Sequence, residues 1–140
     1  MGKLRLAVLC FFIALGLGVS TRAADSLARV DAFSFGGVGV AGTPSAGELE
    51  FRGVLARSDA LRVFQKLLES GNSEAKCYAL VGIRKLAPKD FPALAAPFRD
   101  GTAKIKTISG CMIMEQPMGA VVAGIERGNY DSYLGRKLQP

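Results

Sequence analysis

Three cysteines and no histidine bound the chemistry that this chain of 140 residues can carry. Without histidine there is no Ser-His-Asp triad, no Cys-His nucleophile and no His-containing zinc site. Cys10 lies inside an apolar N-terminal run, which leaves Cys77 and Cys111 as candidate partners. A redox-active pair needs the close spacing of Cys-x-x-Cys or an exposed thiol of low pKa, and neither is indicated here. An even pair in an oxidising compartment reads as one structural disulfide, Cys77 to Cys111. Its loop of roughly 35 residues would contribute about 4 kcal/mol through chain entropy. Two unlinked buried thiols and a redox pair are the alternatives.

Carboxylates are dispersed: Glu48, Glu50, Asp59, Glu69, Glu74, Asp90, Asp100, Glu115, Glu126 and Asp131. Five of them, Glu48, Asp59, Glu74, Asp90 and Glu115, fall near expected helix starts, where free amides and the helix dipole favour negative charge. No two are singled out as an acid/base pair. Ser109 beside Lys106 could form a Ser-Lys dyad, although a turn serine and an edge-strand lysine explain both. The run "GGVGVAG" (36–42) suggests a phosphate cradle, yet no buried strand precedes it and no Lys-Ser/Thr pair follows. It reads instead as part of an irregular arm whose Phe33, Phe35 and Val38 tuck onto the domain. No catalytic, cofactor or metal site is assigned.

The elements that must position these residues begin after a leader. Lys3 and Arg5, an apolar run from Leu6 to Val19, then Ser20, Thr21, Arg22 and small residues make the three-part pattern of a secretory signal peptide. Thr21 at minus three places cleavage after Ala23. The apolar run of 14 residues is short of the ~20 that span a bilayer, so no stable membrane anchor is expected. Export to the periplasm or the extracellular space follows. Loss of Lys3, Arg5 and Arg22 lowers the formal charge from +6 to +3, and the remaining Lys and Arg are scattered, which argues against nucleic acid as a partner.

Four segments follow: signal peptide 1–23, Gly-rich arm 24–43, a single helical domain 44–134 and a tail 135–140. Ser45 with Glu48 three positions on is a capping box that starts a helix running to about Arg57. Ser58-Asp59 start a second, with Leu61, Phe64, Leu67 and Leu68 as its stripe and Gly71 as its end. Asn72-Ser73 start a third, ended by Pro88; it is apolar on most sides and must lie between neighbours. A short fourth helix follows Asp90. A strand or short hairpin is expected over 103–114, then a helix from Glu115 to Gly128 with Pro117 in its first turn. The expected fold is mainly α: a small domain of about five short helices with one strand or hairpin.

The stretch "FQKLLESGNSEAKCYALVGIRKLAP" resembles one HEAT-type helical repeat: leucines end the first helix, a short polar turn follows, and Ala79, Gly82 and Ile83 line the second. That resemblance, over residues 61–88, implies close helix packing and a tendency to bind other macromolecules through a helix surface. "FGGVGVAG", "YALVGIRKL" and "TISGCMIM" together are similar to a family of small exported bacterial proteins, which adds no chemistry. The functional expectation is an exported, non-enzymatic helical module that binds a protein or peptide through a helix surface or the Gly/Phe-rich arm. The alternative is a redox accessory or an enzyme using Cys77 and Cys111 or a carboxylate site.

Overall fold

The computed structural model describes residues 20–135. Most of the expected signal peptide, with Cys10, and nearly all of the expected tail lie outside the described residues. The elements in chain order are α1 (Ser20–Leu27), β1 (Gly37–Val38), β2 (Thr43–Pro44), α2 (Ala46–Leu55), α3 (Ala60–Ser70), α4 (Ser73–Leu86), α5 (Phe91–Ala95) with a 3-10 turn (Ala96–Phe98), β3 (Lys104–Ser109), β4 (Met112–Pro117), α6 (Met118–Glu126) and α7 (Asp131–Leu134). The fold is mainly α, with two small antiparallel hairpins, β1-β2 and β3-β4.

Helix α4 is central, as its apolar composition requires. Ala75 and every residue from Cys77 to Ile83 are buried, and the helix packs against α2, α3, α5, α6 and β3. Its start is fixed by Asn72, whose Oδ1 accepts the Ala75 N–H at 2.9 Å. The same side chain donates to the Val30 carbonyl at 2.8 Å, and its N–H to Ala28 at 3.0 Å, so one residue caps α4 and anchors the chain leaving α1. Helices α3 and α4 approach closely because Gly82 has no side chain: a Cβ there would collide with the Phe64 ring.

The arm tucks Phe33 and Phe35 onto the domain as expected, but it is not irregular throughout. Leu27 is fully buried, Phe33 and Phe35 join the core, and Val38 is half-buried. Its aromatics join a cluster around Tyr78, with edge-on pairs at ring-centre distances of 4.9 Å for Phe33 and Tyr78, 5.0 Å for Phe33 and Tyr130 and 5.2 Å for Phe35 and Phe51. Such pairs add to the simple burial of apolar area. The N-terminal part of the segment is helix α1, which begins before Ala23 and packs on α2. The glycine-rich part pairs as β1 with β2.

The helix expected from Glu115 begins three residues later, at Met118. Glu115 and Gln116 are good helix formers, but Pro117 drives the residue before it toward an extended backbone. Register then decides: Lys106 faces Glu115, Ile105 faces Gln116 and Lys104 faces Pro117, so the segment completes β4. After α6 the short helix α7 is tied to α4 by an ion pair between Arg84 and Asp131.

Candidate interaction surface

The expected disulfide is not formed. Cys77 is buried on α4, whereas Cys111 is exposed in the turn between β3 and β4; both thiols are free. Inferring the pair from cysteine number contained no distance, and the hairpin carries its turn outward, away from the helix core. Burial, with the nearby Glu74 charge, pushes the Cys77 thiol up to about 12. It packs as a small buried hydrophobe and is held protonated at neutral pH.

The remaining candidates also separate. Lys106 and Ser109 are three positions apart on β3, which sends their side chains to opposite faces and removes the dyad. Glu48 is buried, but its oxygens are engaged: Oε2 accepts the Gly36 N–H at 2.9 Å, and Oε1 accepts Arg52 Nη2 at 2.6 Å and Nε at 3.0 Å. Arg52 Nη2 also donates to the Tyr133 carbonyl at 2.8 Å. This carboxylate therefore ties the arm, α2 and α7 together. Only half of the expected capping box forms: Ser45 Oγ accepts the Glu48 N–H, and the glutamate side chain turns inward.

Three of the surface clefts among the described residues carry charge, and two of these hold ion pairs of their own. One of about 450 Å³ is lined by Arg84, Lys85, Pro88, Phe91, Asp131 and Leu134, with Arg84 paired to Asp131. In another, Arg57 and Arg62 both bind Asp59, whose carboxyl they hold well below the usual range. The third runs between Arg29, Asp31, Ser45 and Glu50. Among the described residues no cluster of His, Cys, Asp or Glu could hold a metal, and no helix is long and apolar enough to cross a membrane.

What stands out is the sheet edge. Met112, Ile113 and Met114 of β4 are 62%, 64% and 38% exposed, and Val40, fully exposed, lies close by because the Gly39 N–H donates to the Gly110 carbonyl at 2.9 Å. The turn is tight: Gly110 takes φ +58° between Ser109 and Met112, the sign that a two-residue type II′ turn demands at its first central position. On its far side β3 is covered, since Phe33 donates to the Lys106 carbonyl at 2.8 Å and accepts from Ile108 N–H at 3.2 Å.

Those two bonds fix the phase of the hairpin. The main-chain groups of Lys106 and Ile108 point away from β4, so the pairs Lys106–Glu115 and Ile108–Ile113 are non-hydrogen-bonded ones. The N–H and C=O of Ile113 and Glu115 accordingly point outward from β4. Among the described residues no third strand continues the sheet there. An open edge with apolar side chains is a template for strand pairing.

No family model, curated protein or solved structure matches this chain. The edge was not singled out in the sequence because "CMIM" has the composition of a buried strand. The signal that could have found part of it is Gly110-Cys111, the two-residue turn that makes β4 the second strand of a hairpin.

Proposed function

We propose that this chain is an exported, non-enzymatic binding module that engages a protein or peptide partner through the open edge of β4. The observation that carries the reading is the exposed trio Met112, Ile113 and Met114 on a strand whose outward main-chain groups have no neighbouring strand among the described residues. Strand addition supplies main-chain hydrogen bonds, and the exposed side chains supply apolar area. The arm, earlier a candidate surface, keeps its aromatics for the core. In this reading the α3–α4 pair, packed in the manner of one HEAT-type repeat, is scaffold, and α4 with the arm holds β3 rigid behind the edge.

A photo-crosslinking residue at position 113 tests the surface in cells that export the chain. A protein adduct is expected there and not at exposed Gln65 on α3. Equal yields at the two positions would remove the reading. Export itself is tested by N-terminal sequencing, which is expected to begin at Ala24; a full-length, membrane-retained band would replace cleavage with an anchor.

A further inference from the structure

We propose that β4 pairs antiparallel with β4 of a second copy of this chain, about a two-fold axis through Ile113, to close a four-stranded sheet. The inference rests on the reading of β4 as the interaction edge and names its occupant. Only Ile113 and Glu115 aim main-chain groups outward in the middle of the strand, and an outward residue must face an outward residue for bonds to form. The axis of an antiparallel self-pair therefore passes through a residue and not between two.

Side chains then select which residue. An axis through Glu115 would set two carboxylates face to face, which destabilises a sheet pair. One through Met114 would place each Glu115 beside the other copy's Ile113. An axis through Met112 would set Ile113 opposite the turn residue Cys111, so that no two outward residues of β4 would face each other. The axis through Ile113 pairs Ile113 with itself and keeps Glu115 away from both the second Glu115 and the second Ile113, opposite Cys111 of the turn. It sets Met112 opposite Met114 of the second copy, twice, on one face, and on the other it makes a continuous row of Ile108, Ile113 and the same two residues of the second copy. The two Glu115 carboxylates stand at opposite ends, each keeping its own Lys104 at 3.1 Å. Every strongly exposed apolar residue of β4 thus finds an apolar neighbour, and no like charges meet. A second copy brings this matched strand by construction.

Cysteine cross-linking of the folded chain tests the register. Across the axis, hydrogen-bonded partners have Cα atoms about 5.5 Å apart, within reach of a disulfide. Ile113→Cys in a Cys111→Ser background should give a covalent dimer under mild oxidation, whereas Leu49→Cys in the same background should remain monomeric. Glu115→Cys with Cys111 retained should also link, because those positions face each other about the same axis. In sedimentation equilibrium the unaltered chain should be dimeric, and Ile113→Lys should weaken the dimer by at least about tenfold through like charges on the axis. At concentrations low enough for both to be monomeric, its melting temperature should stay close to that of the unaltered chain, since Ile113 is exposed in the single chain. A monomer at the highest soluble concentration, or a dimer indifferent to Ile113→Lys, overturns the inference. In the photo-crosslinking experiment an adduct of twice the chain mass supports it, an adduct only with a different protein overturns it while leaving the binding reading intact, and no adduct overturns both.

Discussion

Tyr78 clamps the backbone of Ser34, 44 positions earlier: its hydroxyl accepts the Ser34 N–H at 3.0 Å and donates to the Ser34 carbonyl at 2.8 Å. Both ends of this small ring are buried, so neither backbone group has water as a substitute. Tyr78→Phe should therefore cost about 2–4 kcal/mol, because two buried groups lose their partner. Ser34→Ala should be neutral or slightly stabilising, since Ser34 Oγ is buried without a hydrogen-bond partner among the described residues. Urea unfolding of the two variants measures the contrast; equal losses would mean that the hydroxyl clamp does not hold the arm.

Glu48 carries the second anchor. Replacing it with alanine removes the acceptor of the Gly36 N–H and leaves the mostly buried Arg52 guanidinium without this carboxylate, for an expected loss of about 3–5 kcal/mol. Gly36→Ala should also destabilise the fold, because Gly36 has φ +88° and a Cβ there would sit 2.9 Å from the Tyr133 ring. Thermal melts of both variants, with circular dichroism to confirm folding at low temperature, check this. A melting point unchanged in Glu48→Ala would show that the carboxylate is replaceable by water.

Leu80→Asp and Ile83→Asp each place a carboxylate at a fully buried position of α4 with no cation prepared for it. A loss of at least about 4 kcal/mol is expected, enough to unfold most of the population of a marginally stable domain. Retention of cooperative unfolding near the original melting temperature would show that α4 is not the centre of the core.

The two thiols should behave differently. In the folded chain without residues 1–23, and so without Cys10, a thiol reagent should label Cys111 rapidly and Cys77 only after denaturation; mass spectrometry counts the labels. The raised Cys77 pKa also has a sign in stability. Between the unfolded thiol value near 9.0 and the folded value of about 12, the native state binds the extra proton. That contribution is complete below the unfolded pKa and is lost as pH rises through the folded one, reaching about 4 kcal/mol at most. Cys77→Ala should flatten the alkaline fall in melting temperature. Tyr78 and Tyr130, also raised by burial, leave a residual slope of the same sign.

Local signals carried well into the structure. Ser45 with Glu48, Asn72-Ser73, Gly71 and Pro88 each act within one helical turn, and the helix boundaries they imply are close to those observed. Tertiary pairing was another matter. Nothing near Ser34 announces Tyr78, and nothing near Cys111 reports that its turn projects into solvent. The arm looked irregular because glycine density speaks against a helix, yet it says nothing of Phe33 bonding to Lys106 and Ile108 on β3. The β4 edge was hidden for a related reason: Met and Ile suit a core, and only the missing outer neighbour turns them into a surface.

The clamp on Ser34 has a kinetic counterpart. The arm leaves the ribosome early, but Tyr78 lies 44 positions downstream of Ser34, and the Tyr133 carbonyl that receives Arg52 lies 81 positions beyond it. Complete docking must therefore wait until residue 133 has been synthesised. During that interval Phe33 and Phe35 lack Tyr78 and Tyr130, the rings that they pack against in the fold, so a nascent chain is unable to bury these two aromatic residues in the native way and presents them to any chaperone that reads them.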